Sequence, residues 1–120
     1  MNYIKAHCLI AVVLITSYCN AQDCATMPIH FPSYDAAISF VRRASFKLND
    51  AVRTYSTSWL IYAEYYCCDG YRGIFIFTTD KGYEYIMKDV PISVWRGFKN
   101  ASDYGVYYNQ HIRAKYHFPL

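Results

Sequence analysis

Asn109 and Arg113 stand four residues apart late in the chain, a spacing that places an amide and a guanidinium on one face of a helix. The guanidinium is a planar fork of donors and the amide adds both a donor and an acceptor. Together they suit a carboxylate, a phosphate or a backbone carbonyl. Ser102, Tyr85, Tyr108 and Tyr116 complete a candidate ligand-binding set. The plainer alternative is that Asn109 ties its helix to the Val90-Pro91 turn and that Arg113 is solvated, because buried amides most often satisfy backbone groups.

Acid or base chemistry would fall to His30, His111 or His117, with help from Glu64 or Glu84. No Ser-His-Asp, Cys-His or metal-ligand spacing accompanies them, so no catalytic residue, metal or cofactor is assigned. A lone strand carboxylate such as Glu64 is usually solvated. A small hydrolase or nuclease therefore ranks below a non-enzymatic binding module.

Two further classes are weighed by composition. Tyr rings stacking on bases with Lys or Arg on phosphates would make a nucleic-acid-binding module. The basic residues are scattered, however, and their tightest group is Arg42-Arg43, so a nucleic-acid partner is disfavoured. Size and export permit an inhibitor or immunity-type partner of a secreted protein, although no residue identifies a target. Asn100-Ala101-Ser102 matches a glycosylation acceptor and is read as a chance match at a junction between helices.

Residues 1–21 read as an export signal: Lys5, an apolar run from Cys8 to Ile15, then Thr16 to Asn20 leading to cleavage after Ala21. The run is too short to span a bilayer, which takes roughly 17–25 apolar residues. Lipid attachment at Cys19 is the weaker alternative, because the bulky Tyr18 precedes it where a small residue is preferred. The expected product is periplasmic or extracellular, with no transmembrane segment after cleavage. Loss of residues 1–21 removes Lys5 and no acidic residue, leaving eleven Lys and Arg against nine Asp and Glu. That balance is too mild to demand an oppositely charged partner.

Cys24, Cys67 and Cys68 remain after cleavage. In an oxidising compartment two of them should pair. Adjacent strand residues point to opposite faces, which disfavours a Cys67–Cys68 bond. Cys67 is in phase with the expected core residues Trp59, Ile61 and Tyr65, and Cys68 adjoins the Asp69-Gly70 turn, so Cys24 with Cys68 is the favoured disulfide. Adjacent cysteines without a nearby His make a poor zinc site.

The elements that must position these groups are legible as patterns. Residues 22–32, with Pro28 and Pro32, read as an extended arm. Ser33 can cap a helix with Asp35 in its first turn, and Tyr34, Ala37, Ile38, Val41, Ala44, Leu48 and Val52 follow at helical spacing. Three strand-like runs begin at Ser58, Gly73 and Gly82, separated by Asp69-Gly70 and Asp80-Lys81-Gly82 turns. In the first run, alternation puts Trp59, Ile61, Ala63 and Tyr65 on one face and Leu60, Tyr62, Glu64 and Tyr66 on the other.

Pro91 is expected at the first position of a helix carrying Val94, Trp95, Phe98 and Ala101, where Gly97 implies close packing or a weak helix. Ser102 and Asp103 can cap a second helix carrying Gly105, Tyr108, Asn109, Ile112 and Tyr116, with Arg113 and Lys115 in its last turn. The expected architecture is a single α+β domain over residues 33–120: an N-terminal helix, a three-stranded antiparallel meander and two short C-terminal helices. Fourteen tyrosines are read mainly as packing, with a minority free to form a surface.

In order, Gly82, Tyr85, Val90, Pro91, Trp95, Phe98, Ala101, Ser102, Gly105, Tyr108, Asn109, Ile112, Arg113 and Tyr116 form a pattern that resembles the KTSC domain. This small module is named for its occurrence at the C-terminus of some lysyl-tRNA synthetases. The likeness covers roughly residues 54–116 and leaves the arm and first helix outside it. The resemblance implies a fold and little chemistry. Its tRNA-ligase association implies an RNA partner for some members, which is not transferred to an exported copy. The favoured reading is an exported KTSC-like binding or interaction module whose partner is another protein or a small anionic or peptidic ligand.

Overall fold

A computed structural model describes residues 23–54 and 58–120. The stretch expected to act as an export signal, residues 1–21, lies outside the described residues. Four strands form one antiparallel sheet in sequence order: β1 (Leu48–Arg53), β2 (Leu60–Cys67), β3 (Arg72–Thr79) and β4 (Glu84–Pro91). Three helices accompany it: α1 (Tyr34–Arg43) before the sheet, then α2 (Ile92–Lys99) and α3 (Tyr104–His111) after it. The expected three-stranded meander is therefore corrected to four strands.

The extra strand was hidden inside the apparent helical stripe. Helix α1 starts as expected, with Ser33 Oγ accepting from Ala36 N at 3.1 Å, but it stops at Arg43. Leu48 and Val52 are four apart, a spacing that fits one face of a helix and equally one face of a strand. Between them Asn49 and Asp50 are poor residues for a helix interior. The segment pairs with β2 in register from Leu48 opposite Cys67 to Arg53 opposite Tyr62.

Each face of the sheet has its own apolar core. Ile74, Ile76 and Ile86 pack with Ala37, Ile38 and Val41 of α1 and with Phe118 near the C-terminus. Phe75, Phe77, Met87 and Tyr65 pack with Trp95 and Phe98 of α2 and with Tyr108 and Ile112 at the end of α3. A β-bulge corrects the alternation expected in β2. The register shifts between Leu60 and Tyr62, and Leu60 turns into the same core as Ala63 and Tyr65.

The connections follow local chemistry. Gly70 and Gly82 take positive φ at the two expected turns, where a side chain would be strained. Pro91 closes β4 and precedes α2 as its cap residue, one position earlier than the expected first helical position. Helix α3 is capped by Asp103, whose carboxylate accepts from Val106 N at 3.1 Å. It ends at His111, so Arg113 and Lys115 lie in the turn beyond it and not in its last turn.

The expected arm, described from residue 23 onward, is not uniformly extended. It contains a 3-10 turn, Cys24–Thr26, and a bridge from Asp23 to Ser45. Cys24 and Cys68 are joined by a disulfide with their Cα atoms 5.9 Å apart, fastening this arm to the end of β2. Cys67 is a buried free thiol whose sulfur donates to Arg72 O at 3.2 Å. Among the described residues, no helix is long and apolar enough to cross a membrane.

Candidate functional site

The site begins with a cross-strand pair. Phe77 on β3 lies opposite Tyr85 on β4, and their rings stack with centroids 5.0 Å apart. Tyr108 of α3 packs on the same Phe77 at 4.6 Å, while Trp59, just before β2, meets Phe77 and Tyr108 edge-on at 5.9 and 5.7 Å. Phe77 is the buried centre of this group, yet Tyr85 remains 47% and Trp59 37% exposed. The aromatic cluster is thus a core that opens onto the surface.

That opening is a cleft of about 680 Å³. Its aromatic wall comprises Trp59, Tyr83, Tyr85 and Tyr108; its polar rim holds Asn109 from α3, Arg113 from the turn beyond it, and Asp80 and Lys81 from the β3–β4 turn. Two cations against one carboxylate give the rim a positive balance. Among the described residues neither Lys81 nor Arg113 has a carboxylate partner. Burial, opposed by the nearby Arg113 charge, pushes the Tyr108 phenol above its ordinary range, so it stays protonated and able to donate.

Helix α3 is held in place by close approach at Gly105 and at Tyr107. Gly105 lies against the indole edge of Trp59, and its N–H donates to Ser58 Oγ at 3.2 Å. Gly97 of α2 faces the Tyr107 ring, whose hydroxyl donates to Val94 O at 3.1 Å. Close packing, one of the two readings of Gly97, is the one present in the fold.

Five of the six candidate ligand-binding residues border two adjoining hollows. Tyr85, Tyr108, Asn109 and Arg113 line the larger cleft. Tyr116 lines a second cavity of about 480 Å³, which shares Tyr85 and Tyr108 with the first. Ser102 is exposed, lines neither hollow and leaves the capping of α3 to Asp103. Asn109 makes no hydrogen bond to the Val90-Pro91 turn and is exposed at the cleft rim. Trp59, Tyr83 and Lys81 were missed. The usable signal is an aromatic immediately before a strand, Trp59 before β2 and Tyr83 before β4.

The candidate acids and bases are dispersed. His30 and His111 are exposed in separate parts of the chain, and His111 rests on the Tyr107 ring at 4.3 Å. His117 borders the smaller cavity with Glu84. Glu64 is buried on the α1 face, where it accepts from Arg42 Nε at 3.0 Å, Arg42 Nη2 at 2.7 Å and Tyr66 Oη at 2.7 Å. Arg42 also pairs with Glu84. Bonds to Glu64 and Glu84 raise the already high Arg42 pKa, and burial followed by the Glu64 bond raises that of Tyr66. The group behaves as a structural clamp between α1, β2 and β4. Among the described residues, no cluster of His, Cys, Asp and Glu is placed to hold a metal ion.

Residues 76–116 match the family model of the KTSC domain. The matched stretch runs from the middle of β3 through β4, α2 and α3, ending at Tyr116, and contains most of the cleft wall and rim. It is shorter than the expected span of 54–116 because β2 and the start of β3 fall outside it. No curated protein and no solved structure matches the chain.

Proposed function

We propose that this protein of the KTSC domain family is an exported, non-enzymatic binding module, and that the cleft between β4 and α3 receives an anionic or peptidic ligand. The observation that carries the reading is the open aromatic wall, with exposed Trp59, Tyr83 and Tyr85 beside a rim on which Arg113 and Lys81 lack carboxylate partners. Apolar walls with a few convergent polar groups are the usual composition of a ligand site. Tyr and Trp also supply contact area at low conformational cost. The Cys24–Cys68 bond supports an oxidising destination.

The test is a titration followed by the amide, indole and guanidinium signals of the protein, using small carboxylates such as acetyl-glutamate N-methylamide. Wild type is compared with an Asn109→Ala, Arg113→Ala double variant. Perturbations centred on the Trp59 indole and Arg113, weakened in the double variant, are expected. Equal binding by both proteins, or perturbations centred elsewhere, would remove the cleft from consideration.

A further inference from the structure

The outer edge of β4 is already used once by the chain itself. Lys88 N donates to His117 O at 3.0 Å, so one backbone bond ties the segment after α3 to the outer side of β4. Backbone groups alternate sides along a strand, and the β3–β4 register is regular from Phe75 opposite Met87 to Thr78 opposite Glu84. Ile86 and Glu84 therefore direct their N–H and C=O groups to the same outer side as Lys88.

The C-terminal segment does not continue this pairing. The alternation that aims His117 at β4 would aim Pro119 next, and proline has no N–H to give. Among the described residues, no backbone bond reaches the outer side of Ile86 or Glu84. Both residues border the smaller cavity, which Pro119 also lines, and Tyr85 between them lines both hollows.

We propose that the ligand of the cleft is an extended, carboxylate-bearing peptide that pairs with Ile86 and Glu84 as a fifth strand and delivers its carboxylate to Arg113 and Lys81. The inference rests on the cleft reading above and names the class of ligand. Strand addition supplies affinity through the main chain and specificity through alternate side chains. Side chains on one side of such a strand fall over the Tyr85–Tyr108 wall. The positive balance of Lys81 and Arg113 over Asp80 selects an acidic peptide. Glu84, the carboxylate on the edge itself, is tied to Arg42, which limits its repulsion of such a ligand.

The probe is the amidated hexapeptide acetyl-Thr-Val-Thr-Glu-Val-Thr. Its companions carry Gln for Glu, carry N-methyl groups on alternate residues, or replace Glu by Thr and end in a free carboxylate. Binding is read by amide hydrogen exchange and chemical shift on the whole protein. The Glu84 and Ile86 amides are expected to gain protection, with N-methylation or removal of the carboxylate each weakening binding about tenfold. Preference for either acidic arm supports the proposal and tells a side-chain carboxylate from a terminal one. Acidic peptides that bind without protecting Glu84 and Ile86, or equally well when N-methylated, overturn strand addition and leave the cleft reading standing. If neither the peptides nor acetyl-glutamate N-methylamide perturb Trp59 or Arg113, both readings fall.

Discussion

The indole nitrogen of Trp95 donates to Asp50 Oδ2 across 2.9 Å, and Lys99 Nζ reaches the same oxygen at 2.8 Å. A single carboxylate on β1 thereby anchors both the buried and the exposed side of α2. Trp95 also stacks on Tyr65 at 5.3 Å and lies edge-on to Phe75 at 5.9 Å, so the anchor fixes a ring at the centre of one core. Helix α2 leads into α3, which carries Tyr108 and Asn109 of the cleft.

Replacing Asp50 with Ala leaves the indole N–H without its acceptor and is expected to cost about 1–3 kcal/mol. Asp50→Asn keeps an acceptor and loses a partly exposed ion pair, a cost of about 0–1 kcal/mol. The pH dependence has a defined sign. Burial pushes the Asp50 pKa up, but bonds from Lys99, Trp95 and Ala51 N outweigh it and hold the carboxyl below its ordinary range. The stabilisation is complete above the ordinary carboxylate range and is lost as pH falls through the lowered value. Urea titrations at a series of acidic pH values should show a shallower acid loss in Asp50→Asn than in wild type.

The clamp on the opposite face gives a different ordering. Arg42→Ala strands the buried Glu64 carboxylate with Tyr66 as its remaining side-chain donor. Arg42 keeps a third of its side chain in water. The expected loss is therefore about 2–3 kcal/mol, below that for breaking a fully buried pair. Glu84→Ala removes only the outer partner and should cost about 1 kcal/mol or less. Equal denaturation midpoints for the two variants would show that Glu64 is not held by Arg42 in solution.

How far these anchors were legible depended on how local their signals are. Ser33, Asp69-Gly70, Gly82 and the apolar stripe of α1 act within a few residues of themselves, and all were readable. Leu48 and Val52 were misassigned because an interval of four satisfies both periods, and only pairing with β2 distinguishes them. Leu60 was placed on the wrong face because a bulge has no sequence mark here. Glu64 looked like a solvated strand carboxylate because its partner Arg42 is twenty-two residues away. Of the cleft, the four-residue spacing points to Asn109 and Arg113, but α3 ends at His111, so Arg113 reaches the rim from the turn beyond the helix and not from a shared helix face. The opposite wall at Trp59 and Tyr83 arises from the fold of the meander and has no such spacing.

The Cys24–Cys68 bond closes a long loop, with 44 residues of sequence separation. Confining the unfolded chain in this way typically stabilises by about 2–4 kcal/mol, so a Cys24→Ala, Cys68→Ala double variant should unfold at correspondingly lower denaturant. Cys67 has no exposed surface and donates to Arg72 O. Its alkylation by a maleimide should follow the unfolding transition, whereas rapid labelling of the native protein would contradict this burial.

Gly97 provides a substitution whose sign depends on another residue. In an isolated helix, Gly→Ala is favourable by about 1 kcal/mol. Here a Cβ would run into the Tyr107 hydroxyl and approach its Cζ to 2.9 Å, and that ring is held by its bond to Val94 O. Gly97→Ala is accordingly expected to destabilise the protein by about 1–2 kcal/mol as an overpacked contact. In a Tyr107→Ala background the obstruction is gone and the same change should become stabilising, reflecting helix propensity alone. A thermodynamic cycle of the four proteins isolates the difference. A coupling close to zero would mean that α2 and α3 do not meet at this contact in solution, and the placement of Asn109 and Arg113 on the cleft rim would lose its support.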